Sequence, residues 1–175
     1  KREKPMRDWF RAIPREQAMA FALYTHDNSE LKISGQCFPL LPTEPKSVTL
    51  EFKKEGKWVV ADTQPVVYPG WSVHFRVKNW DNSHDVPFRL RLGDLSSFDG
   101  LVRKDPIGKD ELVVASMSCN SPKDKERFTR TQFINNLQKQ DPDLLFFAGD
   151  QNYVHDEATF GWLQFGVQFK DLMKD

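Results

Sequence analysis

From about residue 17 to residue 105, apolar and polar side chains alternate with a period of two. In "SVTLEFKK", Val48, Leu50 and Phe52 share one face, and Thr49, Glu51 and Lys53 share the other. "WSVHFRVKNW" sets Trp71, Val73, Phe75 and Val77 against Ser72, His74, Arg76 and Lys78. "VPFRLRLG" sets Phe88, Leu90 and Leu92 against Arg89 and Arg91. Each segment predicts a half-buried strand of an antiparallel sheet. "AMAFALYTH" and "LKISGQCFPL" predict two more strands upstream. Glu55-Gly56, Pro69-Gly70 and the polar "DNSHD" at 81–85 supply turns between them. Short strands at this spacing predict a small β-sandwich, immunoglobulin-like or fibronectin-like in plan.

After Asp105-Pro106 the period changes. "ELVVASMSC" (111–119) is a mostly apolar strand. "KERFTRTQFINNLQKQ" (125–140) carries Phe133 and Leu137 at helical spacing, flanked by Phe128 and Ile134. Asp141-Pro142 ends that helix. "DLLFFAGD" predicts a second strand, and "FGWLQFGVQFKDLMK" (160–174) a second helix. The order β-α-β-α is the opening of a parallel α/β layer, so residues 1–107 read as a sandwich domain and 108–175 as part of an α/β domain. Residues 144–148 are apolar throughout, which predicts cover on both faces of that strand. Two strands and two helices do not suffice for that cover. The expectation is therefore that further strands follow in the natural protein, or come from another chain.

Composition narrows the class without choosing a function. Hydrophobic residues make up 39% and charged residues 29%, which marks a soluble globular chain rather than a disordered one. The 25 basic and 25 acidic residues cancel, so the charge balance points to no nucleic-acid-binding surface. No apolar run approaches the roughly 20 residues of a membrane span. The basic amino end has no apolar stretch behind it, so no signal peptide is visible. Cys37 and Cys119 fall in different halves and are not expected to pair.

The candidate chemistry lies where the two α/β strands end. In open α/β sheets, ligands gather outside the carboxyl ends of the strands. The first strand ends at Ser118-Cys119-Asn120 and the second at Gly149-Asp150, with Tyr153 in the loop that follows. If the strands are parallel neighbours, Cys119, Asp150 and Tyr153 converge in one crevice. A carboxylate, a thiolate and a phenolate suit a highly charged ion such as Fe(III). The two oxygens of Asp150 suit a bridge between two metal ions. Asn120, Gln151, His155 and Asp156 are candidates for supporting these ligands by hydrogen bonds. His26, His74 and His84 lack HxH or HxxxH spacing. Asn79, Asp81, Asn82 and Asp85 lack the glycine and glutamate of an EF-hand and read as a polar turn.

A strand ending in Ser118-Cys119, then a helix, then Pro-Asp-Leu-Leu-Phe-Phe-Ala-Gly-Asp-Gln-Asn-Tyr (142–153) resembles the PhoD-like (alkaline phosphatase D) metallophosphatases. These belong to the calcineurin-like metallophosphoesterases. Gly149-Asp150-Gln151-Asn152-Tyr153 is also similar to the purple acid phosphatase block in which tyrosine binds ferric iron. The resemblance covers residues 111–175 closely, and the amino-terminal sandwich of PhoD-like proteins extends it loosely over the rest. It implies Cys119, Asp150 and Tyr153 as metal ligands, with Asp150 both bridge and catalytic centre. It further implies Fe(III) with a second divalent ion (Ca(II) in some members), hydrolysis of phosphate mono- or diesters, and an extracytoplasmic location. The family's Gly-Asn-His-type block and later ligands have no counterpart here, and Val154 stands where many members have Glu. The fragment alone is expected to be inactive, with the remaining ligands supplied by missing carboxyl-terminal chain.

The competing reading is a sandwich that binds a polymer or partner, with Trp80 as its candidate aromatic, attached to a degenerate α/β unit without catalysis. Dinucleotide binding is excluded by the absence of Gly-x-Gly-x-x-Gly after the first α/β strand. A cysteine hydrolase would need a histidine for Cys119, and His155 alone offers no supporting third group.

Overall fold

The computed structural model describes residues 13–118 and 131–150. The chain divides into two compact units, Lys1–Asp105 and Pro106–Asp175. Among the described residues, no helix is long and apolar enough to cross a membrane.

The first unit is built from antiparallel strands. β1 (Met19–Asp27), β2 (Glu30–Cys37) and β5 (Ser72–Lys78) form one sheet in the order β1-β2-β5. β3 (Ser47–Lys54), β4 (Lys57–Pro65), β6 (Val86–Leu92) and β7 (Ser96–Val102) form the other, in the order β4-β3-β6-β7. The alternation in the sequence is the reason they pack face to face. Leu31, Ile33, Val73 and Phe75 from one sheet join Val48, Leu50, Phe52, Phe88, Leu90 and Leu92 from the other in a single buried core. The two sheets thus make a β-sandwich.

Two strands, β4 and β7, escape a period-two reading. β4 is an edge strand and carries a bulge: Asp62 pairs with Leu50 and Val60 with Glu51, leaving Ala61 extra. A bulge reverses the facing of every later residue, so the pattern is lost. β7 carries Gly100 directly opposite Phe88, whose ring occupies the space a side chain would fill. The β1–β2 turn places Asn28 and Ser29 at φ 49° and 58°, and the β3–β4 turn places Glu55 and Gly56 at 49° and 79°. Two successive positive φ values twist a hairpin in the sense its strands require.

Polar groups close the sandwich at its margins. The Ser96 hydroxyl accepts from the Met19 N–H at 3.0 Å and donates to the Glu16 carbonyl at 2.7 Å, beside a bulge at Ala20. Arg15 grips Glu44 with two hydrogen bonds of 2.6 Å. Burial raises the Glu44 carboxyl, but Arg15 and the Leu41 N–H outweigh it and hold the carboxyl below its usual range. That contribution to stability is present above the ordinary glutamate range and is lost as pH falls through the lowered value.

In the second unit, β8 (Val114–Met117) and β9 (Leu144–Phe147) pair in parallel, from Val114↔Leu144 to Met117↔Phe147. α1 (Thr131–Gln140) lies between them in sequence and ends at Asp141, whose φ is 44°. The paired ladder spans Val114–Met117 on β8. Asp143 secures its start: its N–H donates to the Val113 carbonyl at 2.8 Å, and its carboxylate accepts from the Val113 N–H at 3.1 Å and from Lys109 Nζ. The buried position on α1 is Ile134, while Phe133 is 43% exposed, so the buried stripe is rotated from the expected one. Cover on both faces of residues 144–148 is not seen. Leu144 and Phe146 are each 56% exposed, because two strands are all the described residues supply to this sheet. The helix expected at 160–174, like residues 125–130, lies outside the described residues.

Gly35 is a point of close approach between the two sheets. A Cβ there would meet Leu90 Cδ1 at 2.6 Å and Met19 Cε and Val73 Cγ1 at 2.9 Å. Overpacking of this kind costs about 1–3 kcal/mol. Urea unfolding of Gly35→Ala is expected to show that loss, and a variant as stable as the parent would contradict the packing described.

Candidate functional site

A parallel pair puts the carboxyl ends of both strands at one edge of the sheet. The ladder extends there by one hydrogen bond, from the Ala148 N–H to the Met117 carbonyl at 2.8 Å. Beyond it, one strand continues to Ser118 and the other to Gly149 and Asp150. Gly149 has φ +113°, a conformation that side chains rarely adopt, and no atom lies within 4 Å of where its Cβ would stand. Asp150 follows at φ 54°, in the left-handed region that aspartate tolerates better than most residues. Two positive φ values in succession turn the backbone sharply at the strand end. They leave Asp150 exposed at the edge to which both strands point. This accounts for a glycine directly after an apolar run: the turn requires it.

Of the residues proposed for the metal site, Asp150 is the one among the described residues. Cys119, Asn120, Gln151, Tyr153, His155 and Asp156 lie outside the described residues. Among the described residues, no group of three or more His, Cys, Asp or Glu is gathered to hold a metal ion.

The groups set aside in the sequence have structural partners. The His74 ring lies 3.0 Å from both the Ser34 and Ser72 hydroxyls on an exposed sheet face. His84 stands 3.6 Å from Asp81. In the 79–85 loop, Asp81 accepts from the Ser83 N–H at 3.0 Å, Asp85 from the Lys104 N–H at 2.7 Å, and Asn82 donates to Asp105 at 3.0 Å. Hydrogen bonds from Ser83 hold the Asp81 carboxyl below its usual value. These contacts make the loop a polar turn tied to Lys104 and Asp105. Trp80, the aromatic proposed for a binding face, packs on Phe52 with ring centroids 5.0 Å apart and is partly buried against the core. Cys37 is a buried free thiol, pushed up by burial to about 12, which makes it a poor nucleophile or ligand.

Sequence reasoning did not find Asp143. Its carboxylate is 4% exposed and it anchors the amino-terminal end of the ladder whose other end carries Asp150. A Pro-Asp pair before an apolar run is the only signal it leaves, and that signal reads equally as a turn.

No protein-family model matches the chain, and no curated protein matches it either.

Because asparagine also tolerates the left-handed region, Asp150→Asn is expected to leave thermal stability within about 0.5 kcal/mol of the parent. Gly149→Val forces a β-branched residue to φ +113° and is expected to lose about 1–3 kcal/mol. Thermal unfolding followed by circular dichroism separates the two; equal stability of both variants would contradict the turn described.

Proposed function

We propose that the chain is the amino-terminal part of a binuclear-metal phosphatase that hydrolyses phosphate mono- or diesters, of the PhoD-like kind within the calcineurin-like metallophosphoesterases, and that its second unit begins the catalytic domain. The observation that supports this most is the parallel β8–β9 pair, with an exposed, left-handed Asp150 directly after Gly149 at its carboxyl edge. On this reading the pair is the start of an α/β metallophosphoesterase sheet, and the sandwich is the accessory amino-terminal domain.

Cys119, Asp150 and Tyr153 would hold the metals, with Fe(III) and a second divalent ion such as Ca(II) as the pair. The donor set fits, since a carboxylate, a thiolate and a phenolate together neutralise a trivalent ion. The exposed Asp150 carboxylate has two oxygens with which to bridge two ions. When bound, such ions polarise the phosphoryl oxygen and lower the pKa of the attacking water. The protein's own part is positioning. The short ladder, secured at its start by Asp143, fixes where its two ends emerge, and the Gly149-Asp150 turn presents the carboxylate beyond the last paired residue. Asn120, Gln151, His155 and Asp156 adjoin the ligands in sequence and are the candidates to orient them. Three ligands do not complete a two-metal site, so such a site would need further ligands beside them. An extracytoplasmic location accompanies this reading.

The test uses the natural polypeptide that contains these residues, with p-nitrophenyl phosphate and bis-p-nitrophenyl phosphate as substrates. Loss of a supporting residue around a metal costs about 10–100-fold. Loss of the bridging carboxylate in Asp150→Asn is therefore expected to lower kcat by more than about 100-fold. Full activity in that variant, or no turnover of either ester by the wild type, would overturn the assignment.

A further inference from the structure

The most exposed aromatic side chain among the described residues is Tyr68, at 74%, and it stands on a turn closed by hydrogen bonds. The Trp71 N–H donates to the Val67 carbonyl and the Val67 N–H to the Ser72 carbonyl, each at 2.7 Å. Gln36 Nε2 donates to the Gly70 carbonyl at 2.8 Å, and the Cys37 N–H to the Trp71 carbonyl at 2.8 Å. The Trp71 ring is partly buried against the sandwich core and stands nearly perpendicular to Tyr68, with centroids 5.3 Å apart and planes at 87°. Trp71 has φ 56°, a backbone conformation that bulky residues rarely adopt and that collects at ligand-binding positions. The turn is thus fixed on the sandwich while the Tyr68 ring is left to solvent.

Neutral hydrogen-bonding groups continue from this turn along the outer face of β2 and β5. Ser72 follows Trp71 directly and pairs with Gln36; two residues further on, His74 pairs with Ser34. The exposed His74 ring lies 3.0 Å from both hydroxyls, with Nδ1 toward Ser34 and Nε2 toward Ser72. Each hydroxyl keeps capacity for a further hydrogen bond. Successive rows on one face of a sheet are about 7 Å apart along the strand, so ring and row together offer an extended track rather than a point contact.

We propose that Tyr68 and the Ser72–His74–Ser34 row form a binding site for a neutral, β-linked oligosaccharide. The faces of a pyranose carry weakly positive C–H groups, which stack on the negative face of an aromatic ring. Its hydroxyls lie around the rim, where groups that both donate and accept are their match. A β-linked glucan chain is extended and shows only hydrogens on its ring faces, so it lies flat along a sheet. A protein partner is a poorer fit, because the exposed apolar part, Val67 and Tyr68, falls far short of the roughly 800 Å² per partner of a stable interface. The site lies wholly within the first unit and is independent of the chemistry at the strand ends of the second.

The test is a titration of the whole chain with cellohexaose and with chitohexaose, followed by amide chemical shifts in NMR. Binding of either is expected to move the Gly70, Ser72 and Ser34 amides together. Tyr68→Ala is expected to weaken that binding about tenfold, as loss of an aromatic anchor does, and His74→Ala about threefold. Tyr68→Phe keeps the ring and is expected to bind as the parent does. All three side chains lie at the exposed surface, and circular dichroism checks that the variants are folded. A wild type that binds neither glycan, shifts confined to other residues, or a folded Tyr68→Ala variant that binds as tightly as the parent would overturn the site.

Discussion

A parallel ladder cannot be closed by a hairpin, and this constraint organises the second unit. Joining β8 to β9 in the same direction requires a crossover, and α1 lies within it. The same directionality brings Ser118 and Gly149-Asp150 to one edge. Asp143 reinforces the pairing at the opposite end, where backbone and carboxylate together grip Val113. A ladder of four residue pairs has little stability of its own, so a buried carboxylate at its start matters more than it would in a longer strand.

The sandwich follows a different logic. Its two sheets are held by interleaved inner faces, and two glycines mark where that packing is closest. Gly35 admits Leu90 from the opposite sheet, and Gly100 admits the Phe88 ring from the neighbouring strand. At the margins, Ser96 and the Arg15–Glu44 pair satisfy backbone groups that the ladders leave over, while within the β3–β6 ladder the buried Glu51 pairs with Arg91. The exposed Leu144 and Phe146 of the second unit are the contrary case, an apolar surface that the described residues do not cover.

Much of the first fold was legible because alternation reports burial directly. "SVTLEFKK" and "VPFRLRLG" each have one buried face, and both are strands at the expected places. β4 was hidden by the bulge at Ala61 and by its place at an edge, where neither face is consistently buried. β7 was hidden because Gly100 stands where an apolar residue would have signalled the core. In the second unit the parallel order and the strand-end position of Asp150 could be read from the apolar run and its Gly-Asp end. Its left-handed backbone and the Asp143 clamp could not, since both depend on pairing between segments about 30 residues apart. Periodicity carries no chemistry, and the metal site proposed for these strand ends rests on the resemblance of 142–153 to a metallophosphatase block.

The central claim, that these strand ends hold a metal pair, is tested most directly by elemental analysis. The natural polypeptide containing these residues is dialysed exhaustively and compared with its Asp150→Asn variant. The account predicts iron and a second metal in equal amounts in the wild type, with the pair lost from the variant. A wild type that retains no metal, or a variant that retains both, would contradict it.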